Sequence, residues 1–275
     1  MDGLREFGDP RDSWHWKTGE VDYVAQLGLS EADVPELLAV AEQWAQDRDW
    51  PEDQDDMSPY APIHAWRALA QLKATQVVGP LLKLLDLLDA RGDDWYLHEF
   101  PNVFAWIGPV AAPALTDYLA DPGHRDFPRS CAAHSLRELA KRYPSVRDEV
   151  IQILIDALSR FEDTDTTINA FIVGHLLDMK ATEAAEMIER AHAADRVDTE
   201  INGTWYYVRE AMGVKGLGLV PEHLSRPKPP WAYQRVPSAA PAPLGTPASR
   251  NDRGRERKRQ ERKRKRQNRK KNRRR

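Results

Sequence analysis

From residue 58 onward the apolar residues recur with helical periodicity, and they do so in pairs of short segments. In SPYAPIHAWRALAQL, Ile63, Trp66, Leu69, Ala70 and Leu72 fall near the helical repeat of about 3.6 residues. In the following KATQVVGPLLKLLDLLDARG, Val77, Val78, Leu81, Leu82, Leu84, Leu85 and Leu88 make a wider stripe. Two helices with one apolar face each leave those faces open unless neighbours cover them, so the pair from Ser58 to Gly92 predicts further pairs. They follow. LHEFPNVFAWIGPVAAPALTDYLADPG predicts a short helix around Val103 to Ile107, a corner at Gly108 and Pro109, and a helix ending near Leu119. RSCAAHSLRELAKRYP with SVRDEVIQILIDALSRF, and TINAFIVGHLLDM with KATEAAEMIERAHAAD, predict a third and a fourth pair. The first helices end at Leu72, Ile107, Leu139 and Met179, at intervals of 35, 32 and 40 residues. Two of the junctions share Lys-Ala-Thr, at Lys73 to Thr75 and Lys180 to Thr182. Gly203 to Met212, with Trp205, Tyr206, Val208 and Met212, reads as a terminal cap over the last open face.

Upstream, Ser30 reads as an N-cap with Asp33 in the first turn, and Val34, Leu37, Leu38, Ala41 and Trp44 give a helical stripe through Gln46. Residues 1–20 are polar, broken by Gly8, Pro10 and Gly19, and are expected to dock on the body rather than fold alone. DRDWPEDQDDMSP holds six carboxylates and two prolines in thirteen residues and reads as an acidic loop. No β-branched run alternates with period two. The expected fold is all-α, an α-solenoid of about four to five antiparallel helix pairs. Its expected parts are an N-terminal segment with one helix and the acidic loop (1–57), the helical repeats (58–225), a linker (226–249) and a disordered basic tail (250–275). The linker has seven prolines in twenty-four residues and no acid, which favours an extended, polyproline-like chain.

Charge divides the chain. Residues 250–275 carry 17 Lys and Arg against 3 Asp and Glu, and residues 1–249 carry the other 23 and 40, so a formal +14 tail follows a −17 body. The tail has no aliphatic or aromatic side chain with which to form a core or stack on bases. Its density of cations, Arg257, Lys258, Arg259, Arg262, Lys263, Arg264, Lys265, Arg266, Arg269, Lys270 and Lys271 among them, points to phosphate contact with RNA or DNA without sequence readout. The rival expectation is that the tail folds back on the acidic body. One cysteine, Cys131, excludes an intramolecular disulfide and any Cys-rich zinc site, and is expected to be packing. No stretch of about 18 apolar residues and no signal-peptide pattern occurs, so a cytoplasmic protein without a membrane span is expected.

Candidate chemistry is sparse. None of the eight histidines has HExxH or comparable metal spacing, and no GxxxxGK[ST], GxGxxG or GxSxG occurs. GVKGLG at Gly213 to Gly218 lacks the strand before it and the Ser or Thr after it. Asp55 and Asp56, and Asp93 and Asp94, read as solvated loop charges rather than a calcium site. His64, His98, His134 and His175 each fall in or just before the first helix of a successive pair. If they face one groove, they meet Arg67, Glu99, Arg129 and Asn169 in a polar binding strip; the alternative is ordinary surface or core histidines. Trp66 and Trp106 belong to apolar faces, whereas Trp14, Trp16 and Trp95 stand in polar surroundings where an exposed indole can anchor a partner.

The second helices VGPLLKLL (Val78 to Leu85) and VAAPALTDYL (Val110 to Leu119), with EAAEMIERA (Glu183 to Ala191), resemble the HEAT-like repeat proteins, especially the bacterial group related to phycobilisome-lyase HEAT-like repeats. The resemblance covers Tyr60 to Met212. It implies an α-solenoid and a binding role. A cysteine-containing zinc motif found after the repeats in related proteins has no counterpart here, and no residue matches a lyase catalytic position. The function expected from all of this is a non-enzymatic scaffold, without cofactor, that holds a protein partner in its groove and tethers to nucleic acid or another polyanion by its tail. A lyase-like or chaperone accessory role toward a prosthetic group is the alternative.

Overall fold

The computed structural model describes residues 2–46 and 58–214, all within the unit Met1–Pro227. The acidic loop at 47–57, the Pro-rich linker at 226–249 and the basic tail at 250–275 lie outside the described residues. Among the described residues every regular element is a helix, which matches the all-α expectation.

The chain opens with two 3-10 turns, Asp2–Phe7 and Trp14–Thr18, followed by the short helix α1 (Tyr23–Leu27). The Ser30 signal is realised as a 3-10 turn, Glu31–Asp33, that leads into α2 (Val34–Glu42). The Ser30 N–H and hydroxyl both donate to the Asp33 carboxylate, at 2.7 and 2.9 Å, and fix the entry to the helix. Then come α3 (Ala61–Gln71) and α4 (Val78–Ala90), α5 (Trp95–Ile107) and α6 (Ala112–Ala120), α7 (Asp126–Arg142) and α8 (Arg147–Leu158), and α9 (Thr166–Asp178) and α10 (Ala185–Ala193). Two short helices close the described chain, α11 (Thr199–Asn202) and α12 (Trp205–Met212).

The four junctions within pairs share one design. Each first helix is followed by a 3-10 turn, Thr75–Val77, Pro109–Ala111, Pro144–Val146 or Thr182–Ala184, that hands over to the second helix. These turns begin 34, 35 and 38 residues apart, more evenly than the sequence pattern suggests, because α7 runs past Leu139 to Arg142. At the two Lys-Ala-Thr junctions, Lys73 and Lys180 take left-handed backbone, φ 54° and 53°. The next N–H, of Ala74 or Ala181, reaches back to the carbonyl of Leu69 or Leu176 at 3.2 or 3.0 Å, which satisfies an orphan carbonyl at the helix end.

The helices pack in two rows. In one, α3 lies against α5, α5 against α7 and α7 against α9; in the other, α4 lies against α6, α6 against α8 and α8 against α10. The predicted stripe of α4 is the seam, since Val78, Leu81, Leu82, Leu84, Leu85 and Leu88 are all buried. At about 2 kcal/mol per aliphatic side chain, this helix alone contributes gross burial on the order of 10 kcal/mol. α2 packs on the outer side of α3, and α12 contacts α9 and α10. One helix departs from the amphipathic expectation: every residue of α3 from Ala61 to Ala70 is buried, His64 and Arg67 included. The 3-10 turn Asp2–Phe7 and α1 cover the face left free by α2 and α5.

Candidate functional site

On α3, His64, Arg67 and Gln71 stand three and four residues apart and therefore share one face. Each binds the N-terminal segment. His64 Nε2 faces the Gly8 carbonyl at 3.0 Å; a carbonyl only accepts, so Nε2 carries the proton and Nδ1 accepts from the Tyr23 hydroxyl at 2.8 Å. Gln71 Nε2 donates to the Val21 carbonyl at 2.7 Å, and its Oε1 accepts from the Tyr23 backbone N–H at 2.8 Å.

Arg67 lies between them. Its Nε and Nη2 grip the Glu99 carboxylate of α5 at 2.9 and 2.7 Å, with both side chains fully buried. Nη2 also donates to the Pro10 carbonyl at 3.0 Å, and Nη1 donates to the Ser13 hydroxyl at 2.8 Å and to the Tyr23 oxygen at 3.2 Å. Burial opposes the guanidinium charge, but the Glu99 carboxylate outweighs it and holds the Arg67 pKa above its ordinary value. His64 has no such partner, and burial pushes it down to about 4.

The segment continues onto α5. Trp16 is fully buried, its ring 6.3 Å from that of Trp106. The Trp106 indole N–H donates to the Lys17 carbonyl at 3.2 Å, and Lys17 Nζ donates to the His98 carbonyl at 3.1 Å while lying 3.3 Å from the centre of the Trp14 ring. Burial pushes the Lys17 amine down to about 8. Gly8 to Tyr23 is therefore held largely by side chains of α3 and α5 that read its main-chain carbonyls, with Leu4, Trp16 and Tyr23 as apolar anchors, all fully buried.

The continuous strip expected from the sequence is not assembled. His64, Arg67 and Glu99 do come together, but beneath the chain's own N-terminal segment rather than along an open groove, because Leu4, Trp16 and Tyr23 fasten that segment to them. The His98 side chain is exposed and contributes only its carbonyl. Arg129 serves the end of α6, donating through Nε to the Leu119 carbonyl at 3.0 Å, beside a small cleft of about 120 Å³ that Arg160 and Thr164 also line. Asn169 is buried, and its amide donates to the carbonyls of Phe161 and Arg196 at 3.0 and 2.8 Å, tying two turns together. Among the tryptophans expected as exposed anchors, Trp16 is an internal one, and Asp93, expected as a solvated charge, accepts from the Trp44 indole at 2.8 Å. Cys131 is buried, as packing requires, and burial pushes its thiol well up.

Past the N-terminal segment the face continues on α7 and α9. His134 stacks on His175 with ring centres 5.2 Å apart, and burial lowers both imidazoles. Arg137 bridges Glu138 and Asp178, each at 2.6 Å. Burial pushes the Glu138 carboxyl up, but the His134 bond and the Arg137 and Lys141 charges prevail and hold it at about 2. A cleft of about 360 Å³ opens here, lined by Arg137, Ala140, Lys141, Arg147, Asp178 and Met179. Gln71, Tyr23 and Ser13 complete the α3 site together with Trp16 and were not singled out in the sequence; the helical spacing of Gln71 from His64 and Arg67 is the signal that marks the first of them.

Fold and site together define, over the described residues, an all-helical protein with a polar helix face that holds a segment of turns and 3-10 helix. No family model, no curated protein and no solved structure matches it. Among the described residues, no group of three His, Cys, Asp or Glu side chains is placed to hold a metal ion, and no single helix is long and apolar enough to cross a membrane.

Proposed function

We infer that this protein is a non-enzymatic binding scaffold, a HEAT-like α-solenoid that holds a protein partner along the row of first helices and attaches to nucleic acid or another polyanion through its C-terminal tail. The observation that carries this reading is the way α3 and α5 hold Gly8 to Tyr23: the donors of His64, Arg67 and Gln71 converge on the main-chain carbonyls of Gly8, Pro10 and Val21 and on the hydroxyls of Ser13 and Tyr23, in a segment built of turns and one 3-10 helix. Side chains that read main-chain carbonyls suit polypeptide as a ligand. The recurring junctions and the two helix rows support the solenoid. The α7 and α9 face, with its cleft and the exposed Lys141, offers the continuation to a partner. The tail supports the second attachment by its 17 cations.

A pull-down that compares the full chain, a truncation after Ser249 and Lys141→Glu, each with and without nuclease, tests both attachments. The truncation is expected to lose the nuclease-sensitive partners and Lys141→Glu the nuclease-resistant ones; the same set with all three proteins overturns the reading. With a labelled oligonucleotide, occupancy of about eight phosphates predicts a slope of log affinity on log salt near −7, and a flat response removes the nucleic-acid role.

A further inference from the structure

We propose that the N-terminal segment is a ligand in cis: the face of α3 and α5 is a peptide site, and a second polypeptide that offers the same chemistry as Pro10 to Trp16 displaces it. That chemistry is a turn leading into a 3-10 helix, with a carbonyl that accepts from an arginine, a hydroxyl three residues on, and a tryptophan three residues further. The inference rests on the scaffold reading and names the kind of partner its first two helix pairs accept.

Two features of this contact favour its opening. The first is the surface beneath the segment. Most other helix faces meet largely through apolar side chains, and uncovering them exposes mainly hydrocarbon; lifting the segment as far as Gly19 from α3 and α5 exposes Arg67 and Glu99, with His64 losing its Gly8 partner. A paired arginine and glutamate are costly to keep dry and are well solvated in water, so the polar part of the contact favours release more than an apolar contact of equal area would. The face is patterned as a surface even though it is covered.

The second is the penalty carried by the docked segment. The buried indole N–H of Trp16 has no acceptor among the described residues, and it regains a water bond on leaving. Lys17 keeps only a carbonyl and an aromatic face for its ammonium group, and its lowered pKa reports lost hydration. Leu4 and Trp16 oppose release by their burial, so the closed form predominates until a competitor brings its own anchor. The hinge is available: Gly19 sits in left-handed backbone, φ 88°, with Thr18 and Glu20 exposed beside it.

The test uses the full chain and a labelled synthetic peptide of residues 7–21. Trp16→Ala weakens the cis segment without touching α3 or α5, so the peptide is expected to bind this variant roughly a hundredfold tighter than it binds the wild type. Absence of binding to a Trp16→Ala protein that still melts cooperatively overturns the proposal. Amide exchange on the unaltered chain decides independently, even if that variant does not fold. Residues 7–18 are expected to exchange on the order of a hundredfold faster than α5 and α7, through separate opening; exchange only with global unfolding makes the segment a permanent part of the core and overturns the proposal. Peptide binding without nuclease-resistant partners in the pull-down leaves this inference standing and removes the scaffold reading, whereas the reverse result removes only this inference.

Discussion

Glu99→Ala takes away the carboxylate that accepts from both Nε and Nη2 of Arg67. The guanidinium stays where it is, because Pro10, Ser13 and Tyr23 still accept from it, and it is left as an uncompensated charge with no exposed surface. Breaking a fully buried pair from one side costs about 3–5 kcal/mol, and with both side chains dry there is no solvent screening to discount. Replacing both members by apolar residues, Arg67→Met with Glu99→Leu, removes the stranded charge but also takes the donors from Pro10 and Ser13. The expected loss for the double variant is about 2 kcal/mol, well below the sum of the two single losses. Urea unfolding of the wild type, the two single variants and the double variant, followed by far-UV circular dichroism, measures all four stabilities. A Glu99→Ala protein within about 0.5 kcal/mol of wild type, or a double variant whose loss equals the sum of the singles, refutes the claim that the pair is dry and coupled.

Three further outcomes are expected. His64 titrates at about 4 in the fold against 6.5 for the free imidazole, so its neutral form is the stabilised one. Its contribution is full above about pH 6.5 and is lost as pH falls toward 4, by about 3 kcal/mol in all; His64→Gln removes that titration, and urea midpoints that keep the wild-type pH slope in this window count against it. His134, His175 and His192 are lowered in the same direction and remain in both proteins, and Glu138, held at about 2, acts at lower pH. Lys73→Gly relieves a left-handed non-glycine residue at the end of α3 and is expected to add about 1 kcal/mol and raise Tm by roughly 2 °C; a lowered Tm contradicts the assigned cap. The Cys131 thiol is expected to resist a thiol-specific reagent in native buffer and to react in urea, and rapid native labelling places it outside the core.

The site was half legible in the chain. Helical spacing puts His64, Arg67 and Gln71 on one face of α3, and the pair logic brings α5 with Glu99 beside it, so the polar members of the site follow from local periodicity. Arg129 and Asn169 share the positional regularity of the others, but their partners are the Leu119, Phe161 and Arg196 carbonyls, contacts set by the ends of other helices. Nothing in the run of residues around Trp16 distinguishes an exposed indole from a buried one. Its neighbour His15 is exposed while the ring itself is inside and Lys17 turns its ammonium onto α5, and a segment of 3-10 turns has no long period to reveal which side is which.

The sequence by itself determined the helical class, most of the helix pairs and the buried stripe of α4, and it marked two alike junctions by Lys-Ala-Thr; the left-handed backbone there, α1, α11 and the extension of α5 back to Trp95 came from the structure. The former are local matters, fixed by the spacing of apolar residues. Only the tertiary structure decided that the polar face of α3 is an interior. Amphipathicity tells which face of a helix prefers water or polar partners; it does not tell which of the two it receives. Here Gly8 to Tyr23 supplies the partners, carbonyl by carbonyl, and the residues that read as an open groove hold the beginning of the chain itself.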